Sequence, residues 1–144
     1  MFDSAVAFNQ DIGAWNTSLV DNMEWMFRNA QSFNQNISDW DTSSVVEMGM
    51  MFRVAESFDQ DIGGWDVTSV QNMRWMFDGV TLSTDNYDSL LIGWAEQEVQ
   101  QGVQFDGGDS RYTTGDAAGA RDTLVDSYEW EITDGGQVPP GQEP

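Results

Sequence analysis

The chain has 144 residues, 40% hydrophobic and 12% aromatic, which is enough apolar material for one folded domain with a real core. Its 25 acidic residues face 5 arginines and no lysine, for a formal net charge of −20, and such a surface repels phosphate backbones and argues against nucleic acid as a partner. Cysteine and histidine are also absent, so disulfides, thiolate and imidazole metal sites, Schiff bases and the usual acyl-transfer nucleophile–base pairs are excluded.

The acidic, lysine-free surface suggests a marine or halophilic source, where salt screens self-repulsion. No apolar run reaches transmembrane length and no signal segment opens the chain, so it is expected not to span a membrane. From its first residue the chain obeys a 25-residue period: Phe8, Phe33 and Phe58 fall on it, as do Ile12, Ile37 and Ile62, and Trp15, Trp40 and Trp65. The Met-Phe pairs at Met1, Met26, Met51 and Met76, the valines Val20, Val45 and Val70, and Met23, Met48 and Met73 keep the same step. Strict self-similarity at this period is the mark of stacked units, each of which covers the apolar face of its neighbour. Because Met1 lies on the Met-Phe column, the chain is expected to continue an array and to be a piece of a longer protein.

Within one unit, Trp25 to Ala30 reads as a helical corner of one or two turns, and Phe33 to Ile37 as a short strand. Asp41-Thr42-Ser43-Ser44 is turn chemistry, and Val45 to Met48 a second brief extended piece. Stacking would align Phe, Ile, Val, Met and Trp columns in the core and set Asn9, Asn34 and Asp59, with Gln10, Gln35 and Gln60, in side-chain ladders. Residues 1–80 are therefore expected to form an α+β repeat solenoid of 25-residue coils. After Met76-Phe77 the pattern breaks. Ser83 or Thr84 is placed to cap a helix over about 85–98 with Tyr87, Leu90, Leu91 and Trp94 on one face. "GVQFDGG" then reads as a strand, "TTGDAAGARDTLVDSY" as a capped helix and "YEWEIT" as a final strand. Residues 81–136 are accordingly expected to be a C-terminal α/β cap, and the Pro/Gly-rich residues 137–144 a flexible linker.

The stretches "FNQDIGAWNTSLVDNMEWMF" and "FDQDIGGWDVTSVQNMRWMF" resemble the repeats of bacterial surface proteins with BspA-like leucine-rich repeats, in the branch built on FNQDIxxWDTSxVxxMxxMF units, departing at Asn16 and Val67. The resemblance spans residues 1 to about 80, and "NYDSLLIGW" and "WEITDGG" look like the segment that closes such arrays. It implies leucine-rich-repeat-like coils on a large extracellular protein, at the cell surface or secreted, often linked to attachment. It supplies no catalytic motif and no defined ligand.

Only carboxylate chemistry remains to the side chains. A glycosidase needs two carboxyls about 5–9.5 Å apart, a range that stacked Asp41 with Asp66, or Asp11 with Asp61 across Asn36, would reach. Such acids repeat along the surface, whereas a catalytic site is asymmetric, so the chain is read as no enzyme and no residue is designated catalytic. Calcium is a possible cofactor, since hard oxygens suit it and stacked acids repel unless bridged, although "DGGDSRYTTGD" lacks the spacing of an EF-hand loop. Aromatic columns at this spacing read first as core. If one faces outward, Trp15, Trp40 and Trp65 are favoured over Trp25, Met50 and Trp75, because they adjoin the "DTS" turn. Trp15, Trp40, Trp65, Asp41 and Asp66 are thus the candidate ligand-binding residues. Arg28 and Arg53 alternate with Asp3 and Asp78 and are expected to pair between units. The expected function is noncatalytic recognition or adhesion toward a protein or glycan on another surface. The alternatives are an adhesin spacer without a ligand of its own and, less favoured, a carboxylate-based carbohydrate-active enzyme.

Overall fold

Two residues in each 25-residue unit take positive φ, and they decide how the repeated part folds. In the computed structural model, which describes residues 1–144, Trp25, Met50 and Trp75 have φ of 63°, 53° and 54°. Four residues further on, Asn29, Val54 and Gly79 have φ of 58°, 58° and 78°. A left-handed residue cannot continue a right-handed helix, so the expected helical corner at Trp25–Ala30 is instead a pair of turns. The amides of Trp25, Phe27 and Asn29 leave their own unit and bond the carbonyls of Gly49, Met51 and Arg53.

The expected strand at Phe33–Ile37 is also absent, for a reason visible in its hydrogen bonds. The Asn34 amide donates to the Asn9 side-chain oxygen at 2.9 Å, and the Asp59 amide to that of Asn34 at 2.9 Å. Gln35 and Gln60 donate to the same two asparagines. Side chains thus occupy the partners that a backbone ladder would use. The extended piece at Val45–Met48 shrinks to isolated parallel bridges, Asn22 to Glu47 and Glu47 to Asn72.

Regular elements lie only in the C-terminal half: α1 (Thr84–Ala95), β1 (Gln104–Asp106), α2 (Asp116–Asp122) running into a π-helical turn at Thr123–Ser127, and β2 (Glu131–Thr133). β1 and β2 pair in parallel, with Phe105 opposite Ile132. The expected fold class is therefore corrected: the chain is not an α+β repeat solenoid of leucine-rich-repeat-like coils, but a small fold of two helices, a two-stranded sheet and extensive loops.

What the period does align is the interior. Phe2, Phe27, Phe52 and Phe77 stack with successive ring centroids 5.6, 5.5 and 5.3 Å apart. Phe8, Phe33 and Phe58 form a second row, each ring about 4 Å from its partner in the first. These rings belong to one cluster of 31 buried residues with the Ile, Val and Met columns and the apolar face of α1, apart from Phe2 and Phe8, which pack against its edge.

Helix α1 begins where expected, because Ser83 accepts from the Asn86 amide at its N-terminus, and it buries Tyr87, Leu90, Leu91 and Trp94. It takes over the hydrogen bonds that a further unit would make. Asp59 Oδ1 receives the Ser83 amide and Asn86 Nδ2, Trp94 Nε1 donates to the Ile62 carbonyl, and Gln97 bonds both the Val67 amide and the Trp65 carbonyl. The approach is close enough that a Cβ on Gly93 would overlap the Gly63 carbonyl.

Candidate functional site

The sequence-derived candidates divide between interior and surface. Trp40 and Trp65 are 3% and 1% exposed, and each donates its indole N–H to the unit before it, to the carbonyls of Ile12 and Ile37, at 3.0 Å. They present no face to a ligand, which corrects their candidacy. Trp15, at the same position of the first unit, is 43% exposed. Asp41 is exposed and Asp66 half-buried, and both cap their own turns: Asp41 Oδ1 accepts from the Ser43 amide and hydroxyl, and Asp66 Oδ1 from those of Thr68. The Ser43 hydroxyl, followed by its amide, holds the Asp41 carboxyl below the usual carboxylate range. Asp11 and Asp61 do the same for Gly13 and Gly63. No cluster of three or more His, Cys, Asp or Glu could hold a metal ion.

The outward-facing aromatic row is the other column. Trp25 and Trp75 are 44% and 51% exposed, with Met50 half-buried between them. Their left-handed backbone turns these side chains away from the core that Met23 and Phe27 enter on either side. A signal for this lay in the sequence. A close-packed interior disfavours exchange of Trp for Met at equivalent positions, and the column buried at Trp40 and Trp65 is Trp in all three units, whereas this one reads Trp, Met, Trp.

The arginines beside this row differ in their commitments. Arg28 forks onto Asp3 at 2.9 and 2.7 Å and lies 5.1 Å from the Trp25 ring centroid. Arg53 pairs with Asp78 at 2.8 Å. These are the expected pairs between units. Arg74 makes no ion pair and stands 6.0 Å from the Trp75 ring.

Trp75 and Arg74 form one wall of an open groove of about 320 Å³, and the other wall is the β1–β2 pair. Alternation along a strand sends Phe105 into the core, where it is 2% exposed, and leaves Gln104 and Asp106 on the groove side. The parallel register sets Glu131 opposite Gln104 and Thr133 opposite Asp106. Gln104 Nε2 donates to Glu131 Oε2 at 2.8 Å. Partial burial raises the Asp106 carboxyl, against the pull of the Gly108 amide, and the charges of Asp78, Asp109 and Asp134 push the same way. Behind the sheet, Tyr87 donates to Asp134 at 2.7 Å, and Arg121 donates to the same carboxylate at 2.9 Å. Burial, then Asp134, raises the Tyr87 phenol well above its ordinary value. This trio is enclosed and ties α1, α2 and the end of β2 together.

No helix is long and apolar enough to cross a membrane. No curated protein and no solved structure matches the chain. The family described as "Mycoplasma protein of unknown function, DUF285" matches over residues 1–105 of the 144, and this repeat protein belongs to that family.

Proposed function

We propose that the chain is a noncatalytic recognition module of a larger bacterial surface protein, presenting the row of Trp25, Met50 and Trp75 to a protein or glycan on another surface. One observation carries the reading: left-handed backbone sets Trp25 and Trp75 at the surface, with half-buried Met50 at the same position between them. Non-glycine residues in that region cost on the order of 1–3 kcal/mol each, and such strain gathers at binding sites. Exposed tryptophans supply large, rigid contact area, and here they interrupt a strongly acidic surface. The likeness of the repeat phrases to BspA-like surface proteins supports a place at the cell surface or in secreted material. Catalysis finds less support, because the repeated aspartates are engaged in their own turns.

The test is a screen of the purified chain against arrayed glycans, peptides and extracellular-matrix proteins, in high salt with calcium and again with chelator. A saturable partner lost in the Trp25→Ala/Trp75→Ala double variant is expected, and dependence on calcium would add that ion as a cofactor. A chain that binds nothing in either condition would overturn the reading and leave the spacer role.

A further inference from the structure

We propose that the groove between Trp75 and the β1–β2 pair is a subsite for one neutral pyranose ring, with Trp75 as its platform. The inference rests on the recognition reading and names the ligand class at one end of the outward row. The composition and spacing of the groove walls carry it.

Four polar groups stand at the corners of a rectangle on the groove face of the sheet: Gln104 and Asp106 on β1, Glu131 and Thr133 on β2. Same-face residues of a strand are about 6.6 Å apart and adjacent strands about 4.8 Å apart, which is the scale of a single sugar ring. The groove's volume, about 320 Å³, lies at the lower end for small-molecule sites. Donors and acceptors are interspersed. Gln104, Thr133 and the unpaired Arg74 guanidinium donate, while the Asp106 and Glu131 carboxylates accept. Sugar hydroxyls both donate and accept, so a pyranose matches this mixture where a ligand of one sense does not. The bond from Gln104 to Glu131 holds two of these groups in place before any ligand arrives.

Other ligand classes fit less well. An anion would meet Asp106 and Glu131 on a chain of net charge −20. A flat apolar molecule would desolvate five polar side chains without replacing their hydrogen bonds. A cationic peptide would be drawn to the two acids but would bring its charge against Arg74, which no acid of the chain neutralises. A pyranose instead lays its C–H face on the indole and turns its hydroxyls to the rim, using both halves of the site. Trp25, at the equivalent place, also has an arginine over its ring, but Arg28 is tied to Asp3, whereas Arg74 beside Trp75 makes no ion pair and faces the β1–β2 pair across the groove. The subsite therefore exists once, where the fourth unit meets the sheet.

The test is a titration of the full chain, followed through its indole and side-chain amide NMR signals. The probes are the methyl glycosides of glucose, galactose, mannose and N-acetylglucosamine, taken into the millimolar range. Glucuronate and a lysine-rich peptide serve as comparisons. At least one neutral glycoside should shift the Trp75 indole and Gln104 amide saturably and leave Trp25 unmoved. Trp75→Ala and Gln104→Ala should each weaken it by about tenfold or more, and Trp25→Ala should not. Trp75→Asn, which tolerates the left-handed backbone, repeats the test if the alanine variant is unstable. The proposal is overturned if neutral glycosides leave Trp75 still, if they move Trp25 and Trp75 alike, or if only glucuronate or the peptide binds there. Should the groove stay silent while the array screen finds a partner elsewhere, the sugar subsite falls and the recognition reading stands. Silence in both experiments removes both.

Discussion

Replacing Phe52 by alanine removes a ring with four aromatic neighbours, as many as Phe27 has, in the stacked interior. Phe52 is 0% exposed, with ring centroids of Phe27, Phe77 and Phe58 at 5.5, 5.3 and 4.0 Å. Truncating a buried phenylalanine costs about 3–5 kcal/mol in lost transfer and cavity terms. The upper end applies here, because rings stand on three sides and the hydrogen bonds between units prevent the gap from closing. For a chain of this length, the loss corresponds to a fall in Tm on the order of 10–20 °C. Phe2→Ala is the matched comparison, since Phe2 begins the same row, is only partly buried and has no ring beyond it. Urea and thermal unfolding, followed by tryptophan fluorescence, should give the Phe52 variant more than twice the loss of the Phe2 variant. Equal losses would refute the reasoning, because the interior would then not be held by contacts on both sides of each ring.

Two glycine substitutions should act in opposite directions. Gly93→Ala in α1 would drive a Cβ into the Gly63 carbonyl and should destabilise by about 1–3 kcal/mol, whereas Gly119→Ala in α2 meets nothing and should stabilise by about 0.5–1 kcal/mol, both read from urea unfolding. Val54→Asn places at φ 58° the residue that Asn29 already supplies one unit earlier and should raise stability by up to about 1 kcal/mol in the same assay. Asp106→Asn keeps the acceptor for the Gly108 amide and removes a partly buried charge. Because burial raises the native carboxyl above its unfolded value, the native state binds that proton more tightly, and its ionisation costs stability as pH rises through the folded value. The variant should therefore match the parent in acid and exceed it at neutral pH, and a constant difference across the pH range would count against this account.

The sequence made the alignment legible and left the backbone obscure. Columns of Phe, Ile and Trp at a fixed step required each unit to cover its neighbour, and the buried rings and indole hydrogen bonds follow that step. Helix α1 was readable because Ser83 and the spacing of Tyr87, Leu90, Leu91 and Trp94 are local signals. The corner at Trp25–Ala30 was misread as helical because Trp25 carries no mark of its positive φ, although Asn29 and Gly79, which adopt that region readily, stood at the second position. The strand at Phe33–Ile37 failed because Asn9 and Asn34 compete for the amides that it needed. For the site, the "DTS" turn drew attention to the wrong tryptophans: its aspartates bond within the turn, while the adjoining indoles reach back into the preceding unit. Met50 between Trp25 and Trp75 was the better guide. The groove joins residues about 30 to 60 positions apart, from Arg74 to Glu131, and no local pattern announces it.

Hydrogen exchange at the seven indole N–H groups tests most directly the claim that Trp40 and Trp65 are interior and that Trp25 and Trp75 form the outward row. Trp40, Trp65, Trp94 and Trp130 each donate to a backbone carbonyl and are at most 3% exposed, so their signals should persist long after those of Trp15, Trp25 and Trp75 have vanished. Exchange at Trp40 and Trp65 as fast as at Trp75 would contradict the account and return the "DTS" face to candidacy.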